Sequence, residues 1–147
     1  MQTATLNEDR VQRTTPRASN AKIEGITRRR VEAYAEMGPE YIDRRLQRLD
    51  REWDVERMLE LNAALAFATG IALGATVDKR WFALPIAVAV FLGQHALQGW
   101  CPPLVLFRKL GYRTRGEIDR EKYALMAVRG DFVGTTGRPR KSLDAVG

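Results

Sequence analysis

The chain has 147 residues, which is enough for one ordinary domain. It contains 24 Lys and Arg and 18 Asp and Glu, so its formal net charge is +6. Its single cysteine excludes an internal disulfide, and no spacing typical of a zinc site is present. For this reason we expect no metal, and we also expect no cofactor. No basic face combined with aromatic or groove-reading elements is visible, so we expect no nucleic-acid partner.

The N-terminal segment, residues 1–26, is polar and contains no apolar core that would make it a signal peptide. We predict that it is a mobile leader. A short helix is expected to follow Thr27, a residue type suited to an N-cap, and to end at Gly38.

Residues 27–60 are predicted to form cytoplasmic amphipathic helices, the second of which begins at Pro39. Apolar side chains recur there at steps of four, three and four and form one seam: Ile42, Leu46, Leu49 and Trp53. Acids and bases are mixed on the other faces, so the seam is expected to bind protein rather than lipid. No Gly or Pro interrupts residues 41–67, which predicts that this helix continues into the next segment.

Two apolar arms, residues 61–77 and 81–97, are separated only by the charged residues 78–80. Each arm approaches the length of a bilayer crossing. Trp81 and Trp100 would lie about 28 Å apart on a helix, which fits two interfacial aromatic belts. We therefore predict an all-α membrane protein built on a two-helix transmembrane hairpin, with amphipathic cytoplasmic helices before and after it.

Small residues on the first arm recur at every fourth position: Ala66, Gly70 and Gly74. Such a face lets two helix backbones approach closely in lipid, so we predict a tight contact within the hairpin or between chains.

Pairing of the arms about Lys79 would set Asn62 opposite Ala96 and create an intramembrane polar layer near the cytoplasmic interface. Its members are Asn62, Gln94, His95 and Gln98. Polar groups inside a membrane are candidates for function, but we expect these to hydrogen-bond across the hairpin or a dimer, because such contacts between helices are common. A metal or haem site at the single histidine is not expected.

Cys101 precedes two prolines that end the second arm, and we place the boundary of the hairpin segment, residues 61–107, just beyond this break. A helix N-terminus and Arg108 could lower the pKa of the thiol and make it reactive. No base is near in sequence, so we predict a structural cysteine, with sulfur or redox handling as the alternative.

Residues 108–133 are predicted to form a cytoplasmic juxtamembrane helix, which opens at the capping-box pattern of Thr114 and Glu117 and ends near Arg129. Residues 134–147 are predicted to form a flexible tail. The bases expected to meet anionic lipid head groups are Arg108, Lys109, Arg113 and Arg115. Because the flanking bases outnumber those of the turn, both termini are predicted to be cytoplasmic.

Four segments together resemble a known family: residues 49–57, 98–103, 110–114 and 123–132. They are similar to bacterial small membrane proteins of uncharacterised function grouped with the transmembrane domain of YgaP, an inner-membrane rhodanese. The resemblance implies an inner-membrane location, a hairpin and association into dimers. It implies no sulfurtransferase activity, because the chain has no rhodanese domain.

The sequence therefore predicts a non-enzymatic protein of the bacterial inner membrane that acts by helix–helix association, as a homo-oligomer or as a small accessory subunit of a larger complex. Two alternatives stay open. One is membrane-bound sulfur or redox handling through Cys101, and the other is an oligomeric conduit for small solutes lined by the polar layer.

Overall fold

The computed structural model describes residues 10–134, which contain helices and turns but no strand. The predicted all-α class is confirmed. The helices are α1 Arg10–Thr14, α2 Arg17–Met37, α3 Pro39–Asp50, α4 Val55–Thr76, a 3₁₀ helix Lys79–Phe82, α5 Ala83–Gln98, α6 Pro102–Leu110 and α7 Arg115–Arg129. Two compact units are present among these residues, one of residues 10–23 and 53–115 and the other of residues 24–52 and 116–134.

Helical structure begins earlier than the sequence analysis predicted. The backbone N–H groups of Ser19 and Asn20 both donate to the carbonyl oxygen of Pro16, so α2 starts directly after this proline. Thr27 is a buried residue inside α2 and not an N-cap. The expected end of α2 is correct, because Gly38 takes a left-handed φ of 101°. Residues 1–9 and 135–147, which cover parts of the predicted leader and tail, lie outside the described residues.

The expected continuous helix from residue 41 to 67 is interrupted between α3 and α4. Pro39 occupies the first turn of α3 as predicted, but α3 ends at Asp50. Asp54 then caps α4, since its carboxylate accepts a hydrogen bond of 2.8 Å from the N–H of Arg57. Aspartate is one of the best N-cap residues, so it can start a new helix where no glycine or proline breaks the old one.

In the unit of residues 24–52 and 116–134, α3 and α7 share a core. Its buried apolar side chains are Ile42, Leu46, Leu49, Ile118, Leu125 and Met126. Beside them the Nε of Arg45 donates to Glu121 over 2.7 Å, and both side chains are buried. The predicted limits of α7 are confirmed, because the helix ends at Arg129 and Gly130 follows with a φ of 93°.

In the other unit, α4 and α5 lie side by side and run in opposite directions. A Cβ atom added at Gly70 would lie 2.4 Å from Cδ of Pro85, and one added at Gly74 would lie 2.8 Å from the ring of Phe82. Both distances are too short for any real Cβ, so the helices pack this closely only because both positions are glycine. The small-residue face thus makes its contact within the chain.

Two helical stretches, Pro39–Thr76 and Lys79–Gln98, are long and apolar enough to cross a membrane. The first includes the short break before α4, and its apolar part is α4 itself. Within the most apolar 18 residues of each stretch, only 17% of the residues are buried in the first and 6% in the second. These helices therefore present most of their apolar side chains outward.

We expect Gly70→Ala to weaken the contact between α4 and α5 because the new methyl group has no space against Pro85. Forced overpacking of this kind costs about 1–3 kcal/mol. Gly93→Ala is the matched control, since nothing lies within 4 Å of a Cβ at that position of α5. Thermal unfolding in a mild detergent should show a lower midpoint for Gly70→Ala and an equal or higher one for Gly93→Ala. Equal midpoints for both variants would show that the contact is not tight.

Candidate functional site

An apolar cavity of about 390 Å³ lies where α4 and α5 approach α6. Its size is within the range of sites that hold small molecules. It is lined by Leu59, Asn62, Ala63, Ala66, Val88, Phe91, Leu92, His95, Cys101, Pro103, Leu106 and Phe107. The antiparallel packing of α4 on α5 brings the early part of one helix to the late part of the other, and α6 covers that end.

The cavity assembles only part of the predicted polar layer. Asn62 and His95 both line it, as expected from pairing the two arms. The amide nitrogen of Asn62 donates to the carbonyl oxygen of Met58 over 2.8 Å, so this side chain is partly satisfied within its own helix. Gln94 and Gln98 are not among the lining residues, and Gln98 is exposed.

Cys101 lies at the N-cap of α6 and is 4% exposed. Burial raises the pKa of its thiol, and the neighbouring backbone N–H of Leu104 opposes this shift without reversing it. The alternative, a pKa lowered by the helix N-terminus and Arg108, is not supported, because burial has the larger effect. The environment of Cys101 favours the neutral thiol, which is the less reactive form.

The structure brings His95 to the same cavity as Cys101, although the sequence analysis identified no base near the thiol. A nucleophilic cysteine requires a base within hydrogen-bond reach. The apolar lining of the cavity suits an apolar molecule or side chain, and burial of Cys101 favours the neutral form of its thiol.

The N-terminal helix α1 covers this end of the unit, a role that the sequence analysis missed. The Nη1 atom of Arg10 donates to the carbonyl of Ala96 over 2.6 Å, and the hydroxyl of Thr14 donates to the carbonyl of Gly99 over 2.8 Å. Val11 is buried in one core with Cys101. The proline at position 16 marks the start of the next helix, α2, and is not a signal for α1.

Arg108 is 1% exposed and does not face solvent, so the prediction that it meets head groups is wrong. Its guanidinium group donates to the hydroxyl of Thr15 over 3.1 Å, to the amide oxygen of Asn20 over 2.7 Å and to the carbonyl of Tyr112 over 3.0 Å. These bonds tie α6 to the N-terminal residues of the same unit. A buried arginine is tolerated because its donors are satisfied.

Arg113 is also buried and is likewise unavailable to head groups. Of the four bases predicted to meet lipid, Lys109 and Arg115 are exposed.

The predicted protein-binding seam is divided by the structure. Ile42, Leu46 and Leu49 are buried against α7 of the same chain. Trp53 lies beyond the end of α3, is exposed, and stacks with the guanidinium group of Arg57 at 4.6 Å from its ring centroid. The seam thus finds a protein surface, as its composition indicates, but that surface is supplied by the chain itself.

No protein-family model, curated protein or solved structure matches the chain. The resemblance to the YgaP-like family therefore stays a prediction that rests on the residues quoted for it.

We expect the thiol of Cys101 to react slowly with a small alkylating agent near neutral pH. The rate should still be rising with pH above about 8.5, the ordinary thiol value, because burial raises the pKa of this group. The measurement is the pH dependence of the labelling rate, with Leu110→Cys in a Cys101→Ala chain as an exposed reference thiol. A midpoint below that of the reference thiol would contradict the structural role and support the sulfur or redox alternative.

Proposed function

We propose that this protein is a non-enzymatic component of the bacterial inner membrane. In this proposal α4 and α5 form a two-helix transmembrane hairpin, and both chain termini are cytoplasmic. The protein acts by helix–helix association, as a homo-oligomer or as a small accessory subunit of a larger membrane complex.

The observation that carries the proposal is the exposed apolar surface of α4 and α5. A core helix of a water-soluble protein is mostly buried, whereas the apolar windows here are 17% and 6% buried. The large apolar side chains exposed on these helices and the turn between them are Leu61, Leu65, Phe67, Ile71, Val77, Trp81, Phe82, Ile86, Val90, Phe91, Leu92 and Leu97. So extensive a surface favours aggregation in water, and in lipid it needs no cover.

The surface available for association with another chain is the apolar surface that no helix of this chain covers. Gly70 and Gly74 are used in the contact of α4 with α5, and the seam on α3 is covered by α7. The cavity beside Ala66 is the concave apolar surface that stays open to a neighbour. In lipid, helices associate by shape and dispersion, so a ridge of side chains from a partner helix is a suitable occupant.

The two alternatives have less support. Sulfur or redox handling requires a reactive thiol, and Cys101 is buried with a raised pKa. A solute conduit requires a continuous polar lining, but only Asn62 and His95 of the four predicted polar residues line the cavity. Two spanning helices cannot enclose a pore, so a conduit would in addition require an oligomer.

Single-cysteine labelling tests the membrane topology. In a Cys101→Ala chain, we expect Lys79→Cys to react with an impermeant reagent added outside intact spheroplasts. Arg120→Cys should react only after the membrane is permeabilised. Both residues are exposed, so accessibility of the side chain itself does not limit either reaction. Labelling of both positions from the same side would contradict the hairpin.

Particle mass in mild detergent tests association through the cavity. We expect the wild-type protein to form a particle larger than its own 16.6 kDa, and Ala66→Phe to dissociate it by filling the concave surface. Ala68→Phe is a control on an exposed position of the same helix. A wild-type particle of one chain, with no co-purifying subunit, would overturn the association proposal. An assembly that survives Ala66→Phe but not Ala68→Phe would move the contact to another face.

A further inference from the structure

Three arginines lie in one line, two on the exposed face of α3 and one at its C-cap. Arg44, Arg48 and Arg51 are separated by four and then three residues, a spacing that places them on the same side of a helix. Together with Gln47 they surround one shallow surface concavity. All four residues are exposed, and the buried face of α3 lies on the other side. We call these three arginines the arginine strip.

Three acidic side chains on or just after α3 form ion pairs with bases that do not belong to the arginine strip. The ion pairs that hold them are Asp43 with Arg129, Asp50 with Lys122, and Glu52 with Arg45. The first two join α3 to α7, and the third uses an arginine of the buried face. Folding therefore neutralises these carboxylates and leaves the bases of the arginine strip facing outward.

Few groups compete for the charges of the strip. Glu40 lies 3.8 Å from Arg44, but both side chains are exposed, and an exposed pair of this kind attracts weakly. Arg48 donates to the hydroxyl of Tyr34 over 2.7 Å, a contact that does not cancel its charge. No carboxylate among residues 10–134 forms an ion pair with Arg48 or Arg51.

Chain connectivity keeps the strip close to the first proposed spanning helix. Four residues separate the end of α3 from the start of α4, so the gap is at most about 18 Å even when fully extended. The apolar part of α4 begins at Leu61, about 9 Å further along the helix. An anchor this near raises the effective concentration of head groups around the strip, so weak contacts can suffice.

We propose that the arginine strip docks on the phosphate groups of anionic phospholipids in the leaflet from which α4 enters the membrane. Guanidinium groups match phosphate oxygens in charge and in bidentate geometry. The strip extends over about 10 Å of helix, so its three side chains can contact separate head groups of a flat surface. The inference rests on the proposed membrane anchoring, and it replaces the buried Arg108 and Arg113 with residues that are free to reach lipid.

The test uses the full-length chain in nanodiscs, with a donor dye on Ala35→Cys in a Cys101→Ala chain and an acceptor on trace lipid head groups. Ala35 is exposed on α2 and does not line the concavity of the strip. Discs of neutral phosphatidylcholine are compared with discs that also contain phosphatidylglycerol. Three arginines near an anionic surface should raise the ratio of docked to undocked strip by on the order of 100-fold. Energy transfer should therefore increase in the anionic discs and fall again as salt shortens the Debye length from ~10 Å to ~3 Å.

The matched variants separate the strip from the general charge of the protein. Arg44→Gln, Arg48→Gln and Arg51→Gln together should abolish the increase. The same three changes at Arg28, Arg29 and Arg30 of α2 should leave it in place, with unfolding midpoints showing that both variants fold. Equal loss in both triple variants would overturn the proposal, because attraction would then depend on net charge alone.

Three further outcomes would also overturn it. Failure of the protein to enter even the neutral discs would refute the anchoring and with it this inference, whereas entry without any response to phosphatidylglycerol would refute the strip alone. A response to added duplex oligonucleotide in place of anionic lipid would assign the strip to nucleic acid.

Discussion

The close approach of α4 and α5 at Gly70 and Gly74 is the constraint on which the rest of this unit depends. With no Cβ at either position, α4 lies directly against Pro85 at Gly70 and against the ring of Phe82 at Gly74, and these contacts fix which residues face each other. That register carries Asn62 and His95 to one end of the pair, where α6 closes a cavity over them. A helix pair held further apart would have no such shared pocket, so the small residues determine the site without lining most of it.

Sequence reasoning was reliable where local chemistry determines the structure. Composition predicted the all-helical class, Gly38 and Gly130 marked two helix ends, and the charged triplet at residues 78–80 separated two apolar helices. It was less reliable where two local rules compete. The absence of Gly and Pro predicted one long helix through Asp54, but the capping preference of this aspartate won. The predicted pairing of α4 with α5 was also displaced along the helices. Pairing about Lys79 sets Gly70 opposite Val88, whereas in the structure Gly70 lies against Pro85.

Contacts between distant parts of the chain could not be predicted from local patterns. The seam on α3 was recognisable as a surface that binds protein, but nothing in its spacing identifies α7, about seventy residues away, as the partner. Arg108 is a similar case. A base next to an apolar segment normally meets head groups. The burial of Arg108 is tolerable in part because the hydroxyl of Thr15 and the amide of Asn20, far away in sequence, accept its hydrogen bonds.

Whether a charged side chain is neutralised therefore depends on the partners that the fold places beside it, so the net charge of +6 does not by itself describe the surface. The unit of residues 24–52 and 116–134 has ten bases and eleven acids, so its overall charge does not attract an anionic surface. Because α7 supplies bases to Asp43 and Asp50, these acids are neutralised, while Arg48 and Arg51 form no ion pair with the described residues. A nearly neutral unit thus acquires one basic face. Affinity for an anionic surface is then a property of the folded arrangement of the helices, and the isolated α3 sequence, with its acids unpaired, would lack it.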